Sequence, residues 1–255
     1  MGKLIGKIRQ SVVNTRIRKK LLFIYCVAGL VPMLLIGGLM LYNTNRMLTG
    51  QYRSQVASEN KRVHNIVFEV TYLVSNISNV LGYDSALNTL LSTSYESDGQ
   101  VYEAYRAYPL LDSFAENYTE LSSIRVYFNN PTMVSSGRFL YADEKVRDTD
   151  WYRLAKESNG EPIWFYEKQE TSPDNLFLVR KVPLYNRDFA VISIGISNNF
   201  LKLMINDEQT DTLLSLGDGE VFYAGNPSYL GQPLPIAQAL AAETQVSVMK
   251  DNGLL

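Results

Sequence analysis

Residues 21–42 read LLFIYCVAGLVPMLLIGGLMLY, twenty-two positions without one charged side chain. The twenty residues before them hold seven bases and no acid: Lys3, Lys7, Arg9, Arg16, Arg18, Lys19 and Lys20. A helix rises about 1.5 Å per residue, so about twenty apolar positions match the roughly 30 Å hydrocarbon core of a bilayer. The pattern predicts a cytoplasmic basic tail (1–20), a membrane-spanning helix (21–42) and an outer segment from about Asn43 onward, oriented by the positive-inside rule. A cleaved signal peptide shares this charge order, but its apolar core spans only about 7–15 residues and ends in a small-residue cleavage site. Tyr42-Asn43-Thr44-Asn45-Arg46 offers no such site. Pro32 and the Gly37-Gly38 pair lie within the span, where a membrane helix tolerates them.

Composition limits what the outer part can do. The first twenty residues contribute +7 to a formal net charge of −2, so the remainder carries −9. An acidic surface gives no electrostatic reason to bind nucleic acid. The only cysteine, Cys26, falls in the predicted span, so no internal disulfide is available and the outer domain rests on its hydrophobic core. Asn76 and Asn117 begin Asn-x-Ser/Thr triplets, which matter only in a glycosylating host.

A long helix is expected next. Val56, Val63, Val70 and Ile77, with Ile66, Leu73 and Val80, fall at the a and d places of a heptad repeat. No proline occurs between Asn43 and Tyr108. This stripe fits either a stalk that pairs with a second copy or a face packed on its own domain, and the helical region is assigned to 43–95. A second helix is expected over 101–118, interrupted at Pro109. The period then changes to two. Ile124, Val126 and Phe128 alternate with Ser123, Arg125 and Tyr127, a half-buried strand. Further strands are expected at 139–141, 162–167, 176–185 and 189–197, with a short helix at 150–156 between them and a hairpin-length link at Asn186-Arg187-Asp188. Helices followed by an antiparallel sheet give an α+β fold. A new unit is expected from Thr212, with a helix at 235–242 and a strand at 245–249 entering an Asp251-Asn252-Gly253 turn. A turn without its returning strand leaves an unpaired edge and suggests truncation.

The order of these pieces resembles the extracellular double-Cache sensor region of YesM-like bacterial sensor histidine kinases. The resemblance is carried by the basic tail, single span and long helix, and by Asp150-Trp151-Tyr152 followed by Gly160-Glu161-Pro162-Ile163-Trp164. It is carried further by Val191-Ile192-Ser193-Ile194-Gly195-Ile196-Ser197, by residues 216–223 and by Tyr229-Leu230-Gly231-Gln232-Pro233-Leu234. It implies a PAS-like membrane-distal Cache lobe at 96–200 and a partial membrane-proximal lobe at 201–255, in a single-pass protein of the bacterial cell membrane. It also implies the sensing half of a two-component receptor, possessing neither the phosphoacceptor nor the ATPase domain that follow in that family.

Enzyme chemistry has little support. His64 is the single histidine, and it lies on the predicted stalk. Asp218-Gly219 lacks the spaced acids of a calcium loop, and neither a phosphate-binding loop nor a metalloprotease or serine-hydrolase motif occurs, so no cofactor is expected. What the resemblance implies instead is a small-molecule pocket, with carbohydrate or a related solute favoured. Trp151 and Tyr152 match a position that lines it, Arg147, Asp148 and Asp150 supply polar groups nearby, and Trp164 lies on the following strand. Trp151 equally fits a core residue closing the lobe. Amino-acid-binding relatives carry an arginine two residues before the tryptophan, where this chain has Thr149 with Arg147 two further back. Arg180 and Lys181 occupy opposite faces of their strand, so at most one points at a ligand, and Arg180 is the candidate. A membrane-anchored scaffold with a protein or peptide partner is the competing reading.

Overall fold

The computed structural model describes residues 17–166, 176–205, 212–215 and 221–224. Residues 1–56 and 57–255 form two compact units. In the first, the described residues continue one helix, α1 (Ile17–Gly82), and every described side chain from Leu21 to Tyr42 is exposed. Uncovered Leu, Ile, Phe and Met over that length need an apolar solvent, so the segment is consistent with a membrane anchor. The expected tail 1–20 falls almost wholly outside the described residues.

In the second unit α1 ends at Gly82, and Asp84 accepts a hydrogen bond from the Ala86 backbone N–H (2.8 Å) to start α2 (Ser85–Ser92). The helical region expected at 43–95 is therefore broken at Gly82, where a residue without Cβ allows Arg180 to pack close. Val63, Val70 and Ile77, the expected a positions, are buried within this unit together with Val67, Val74 and Leu81. Ile66 and Leu73 are half-buried, and Val80 is exposed. The region expected as one interrupted helix forms two, α3 (Asp98–Arg106) and α4 (Leu110–Asn117), parted at Pro109.

Five strands follow: β1 (Leu121–Phe128), β2 (Phe139–Tyr141), β3 (Ile163–Tyr166), β4 (Leu176–Pro183) and β5 (Phe189–Ile196), in the order β2-β1-β5-β4-β3. Between β2 and β3 lie α5 (Glu144–Arg147) and α6 (Asp150–Glu157). The sheet is mixed, which corrects the expected antiparallel one: β1 and β2 run parallel, with Tyr127 opposite Leu140. The cause lies in the connection. Asn130 is buried and donates to the carbonyls of Leu91 (3.1 Å) and Thr93 (2.8 Å), while Met133 enters the core. So anchored, the chain runs back along the helices before β2 begins, and a hairpin return is excluded. Asn88 serves similarly at the β4–β5 turn, donating to Pro183 O (2.9 Å) and accepting from Tyr185 N–H (2.9 Å).

The sheet separates two cores. Ile124, Val126, Leu178, Ile192 and Ile194 face the layer that contains α1 and α2. Tyr127, Phe177, Val179 and Val191 face α6. Strict alternation produces this division, because each strand offers successive side chains to opposite faces. After β5 come α7 (Asn198–Ile205) and a separate two-stranded sheet of β6 (Leu213–Ser215) and β7 (Val221–Ala224). This pair falls in the stretch from Thr212 that was expected to begin a new unit. The helix at 235–242, the strand at 245–249 and the final turn lie outside the described residues.

Candidate ligand-binding face

The sequence places an aromatic pair, Trp151-Tyr152, in the first turn of α6, directly after Thr149 and Asp150. With Ala155 these side chains form the buried stripe of a strongly amphipathic helix, set onto the sheet face opposite α1. The Trp151 ring lies 5.1 Å from Tyr127, 5.7 Å from Tyr152 and 6.0 Å from Phe177 between centroids. Phe165 and Phe189 extend the layer, 5.7 Å from Phe177 and 6.1 Å from Tyr152. Trp151 is 7% exposed and Tyr152 2%, so both are part of the core in this conformation.

Polar groups gather at the rim. Asn129, just past β1, accepts from the Tyr152 hydroxyl (3.3 Å) and from Arg147 Nη2 (3.2 Å), and donates to Phe189 O (3.2 Å). The Arg147 guanidinium also lies over the Tyr141 ring at 5.6 Å. Burial raises the Tyr152 hydroxyl above the usual tyrosine pKa, against the opposing effects of its Asn129 bond and the Arg147 charge. Tyr152 is therefore a neutral donor at physiological pH. Asp150 is exposed and pairs with Arg153 one turn on.

The residues singled out from sequence do not converge. Trp151, Tyr152 and Arg147 lie together on the α6 side, with Asp150 at its surface. Trp164 packs against the opposite core, and Arg180 is buried on that same face. Arg180 bonds Asn79 of α1, lies over the Tyr83 ring at 5.1 Å, and would sit 3.1 Å from a Cβ at Gly82. Its strand position opposite Ile192, an α1-face residue, accounts for this direction. Arg180 is thus a tie between β4 and the end of α1. Lys181, on the other face, donates to Lys156 O (2.7 Å) and lies over Phe189 at 5.4 Å.

Sequence reasoning missed the rest of the α6 face. Beyond Tyr127 the same side of β1 and β5 carries Arg125 opposite Ser193 and Ser123 opposite Gly195. Small and polar residues at alternate positions of an otherwise apolar strand were the available signal, since they leave room and hydrogen-bonding groups on one face only. Asn129, just past β1, was not among the candidates. His64 is half-buried on α1, and among the described residues no cluster of His, Cys, Asp or Glu could hold a metal ion.

No family profile and no curated protein matches this sequence. Solved structures do match its fold. The extracellular domain of vpHK1S-Z8, assigned as a histidine kinase, superposes with a TM-score of 0.53 at 12% identity, covering 74% of this chain and 75% of its own. The ligand-binding domain of the Campylobacter jejuni chemoreceptor Tlp3, in complex with L-valine, gives 0.52 at 16% identity over 81% of this chain and 87% of its own. The same receptor's sensory domain with isoleucine bound gives 0.51 at 16% identity over 81% and 86%. The chain thus has an α+β fold with a long apolar N-terminal helix and a mixed sheet resembling a Cache or PAS-like sensor lobe, the fold of chemoreceptor and histidine-kinase sensor domains.

Proposed function

We propose that this chain is the ligand-sensing part of a membrane-anchored receptor of the histidine-kinase type, with its N-terminus cytoplasmic and its α+β domain outside a bacterial cell. The observation that carries this reading is the sheet held between the long helix α1 on one face and an aromatic, hydrogen-bonding layer on the other. A small molecule, with a carbohydrate or related solute favoured, is read on the α6 side. There the exposed Arg147 and the half-buried Asn129 offer polar contacts at the rim, above the buried rings of Trp151, Tyr152 and Phe177. Trp164 and Arg180 play no direct part, because they belong to the other face. Thr149, in place of an arginine, donates to Val146 O (2.6 Å) and supplies no charge for an amino-acid carboxylate. A second copy is read along α1, where Phe68 and Tyr72 stack at 6.1 Å and remain exposed beside Val80.

The test is a thermal-shift screen of the chain in nanodiscs against sugars, oligosaccharides, amino acids and carboxylic acids. A saturable rise in Tm that weakens on Arg147→Gln or Tyr152→Phe supports the reading. A folded sample without any response favours the scaffold alternative, and the assignment of the α6 face would then be withdrawn.

A further inference from the structure

A concavity lies at the β2 edge of the sheet, on the opposite side from Trp151. It is a groove of about 290 Å³ between α3, α4 and the segment leading into β2. That size is near the lower end of the roughly 300–1,000 Å³ typical of small-molecule sites, enough for a ligand built on one ring. Its floor is preorganised. The Tyr105 and Phe139 rings stack in parallel at 4.2 Å, and the Tyr105 hydroxyl is fixed by donating to Val134 O (2.8 Å). Tyr108 meets Phe139 edge-on at 6.5 Å.

The walls supply a different chemistry. Tyr102 and Arg106 stand one helical turn apart on α3 and both line the groove. Tyr102 is 46% exposed. Arg138 donates to Asp112 Oδ1 (2.7 Å), so that pair is internally neutralised. Among the described residues no carboxylate lies within ion-pair distance of Arg106. The groove therefore carries one uncompensated positive charge beside an accessible aromatic ring, although the chain outside the span is acidic. A carboxylate matches the planar, forked guanidinium, and a ring with an apolar face matches the tyrosine.

We infer that this groove binds a monocarboxylate carried on a six-membered ring, with Tyr102 against the ring face and Arg106 on the carboxylate. Sugar acids and aromatic acids share that chemistry. It is a second site, independent of the α6 face.

Isothermal titration of the full chain in nanodiscs tests it with D-galacturonate, D-glucuronate and 4-hydroxybenzoate as probes, and with D-galactose and 4-hydroxybenzyl alcohol as their uncharged counterparts. The expected result is saturable binding of at least one acid and none of its neutral counterpart, weakened tenfold or more by Arg106→Gln and by Tyr102→Ala. Both side chains are exposed, so neither substitution disturbs the core. Which acid binds separates the sugar from the aromatic source. The inference is overturned if no acid binds saturably, if the neutral counterpart binds equally well, or if both variants leave the affinity unchanged. Loss on Arg147→Gln but not on Arg106→Gln would place the acid on the α6 face, ending this assignment while leaving the first reading intact.

Discussion

Replacing Trp151 by alanine removes the centre of the α6 layer, and its cost follows from what the indole touches. The side chain is 7% exposed and meets three rings at 5.1–6.0 Å. A buried aromatic of this size removes about 150–250 Å² from water, about 4–6 kcal/mol at roughly 25 cal/mol per Å², part of which alanine retains. Core Trp→Ala changes cost about 3–5 kcal/mol, so about 4 kcal/mol is expected here. Against a typical total of about 5–15 kcal/mol, the variant stands close to its unfolding threshold. For a domain of this size the loss corresponds to a fall in Tm of about 8–16 °C. Trp151→Phe keeps a ring between Tyr127 and Phe177 and should cost only about 1–2 kcal/mol. The assay is urea and thermal unfolding of the chain in nanodiscs, followed by emission from Trp164, the second of its two tryptophans. A Trp151→Ala cost below about 1 kcal/mol would refute the reasoning, because an indole that matters so little is a lid over a cavity rather than a core member. The result also governs ligand work: Trp151→Phe, not Trp151→Ala, is the substitution whose loss of response can be read as lost contact.

Three other outcomes are expected. Ser78 is fully buried on α1 and its hydroxyl has no hydrogen-bond partner among the described residues; Ser78→Ala should raise stability by about 0.5–1 kcal/mol in urea unfolding, and a loss would mean the hydroxyl has a partner. Arg187 holds φ at 68° in the β4–β5 turn, so Arg187→Gly should be stabilising by about 0.5–1 kcal/mol, with a loss above that amount counting against backbone strain there. The hydroxyls of Tyr105 and Tyr108 are both pushed up from the ordinary tyrosine value of about 10. Burial is the main cause at each, joined at Tyr108 by its 2.5 Å bond to the Asp84 carboxylate. Groups raised in the folded state stabilise it fully below the unfolded pKa and lose that contribution as pH climbs through and beyond it. Stability should therefore fall from about pH 10 upward, and less steeply in Tyr108→Phe; equal slopes would remove Tyr108 as a cause.

The sequence announced the elements whose cause is local. The apolar run at 21–42 forms an uncovered helix consistent with a membrane anchor, and Ile124, Val126 and Phe128 alternate as a strand must. The break at Pro109 was equally visible. Parallel pairing of β2 was not, because it depends on Asn130 reaching the carbonyls of Leu91 and Thr93, nearly forty positions away. Among the candidate residues, alternation required Arg180 and Lys181 to face apart, yet it could not say which faced α1. That choice is made by register, Arg180 opposite Ile192, and by the space left at Gly82. The face taken by Trp164 was open for a similar reason: an aromatic-rich strand looks alike from both sides until its partner Leu178 fixes the face.

Under the proposed function, strand β4 touches both the ligand face and the helix that would carry the signal. Phe177 and Val179 support the α6 layer, while Leu178 and Arg180 press toward the core of α1. A strand cannot slip by one residue without exchanging its faces, so ligand binding above β4 can move it only by small tilts. Leu178 would pass such a tilt to apolar neighbours that yield, whereas Arg180 is buried against Asn79, Tyr83 and Gly82 at the end of α1. The charge is stable there because the carbonyl end of a helix carries partial negative charge and the Asn79 amide oxygen accepts from Nη1. Arg180→Met fills similar volume without the charge, and such replacements of buried ions are often neutral for stability. Gly82→Ala should displace the guanidinium, because its Cβ would lie 3.1 Å from Nε. Both variants are expected to bind an α6-face ligand as the unmodified chain does. Amide exchange at residues 78–83 should slow on ligand addition in the unmodified chain, and in the variants this response should shrink by half or more, an order-of-magnitude expectation for loss of this polar tie between strand and helix. Equal protection in all three proteins would show that the signal bypasses Arg180, leaving apolar packing along the sheet as the route from ligand to helix.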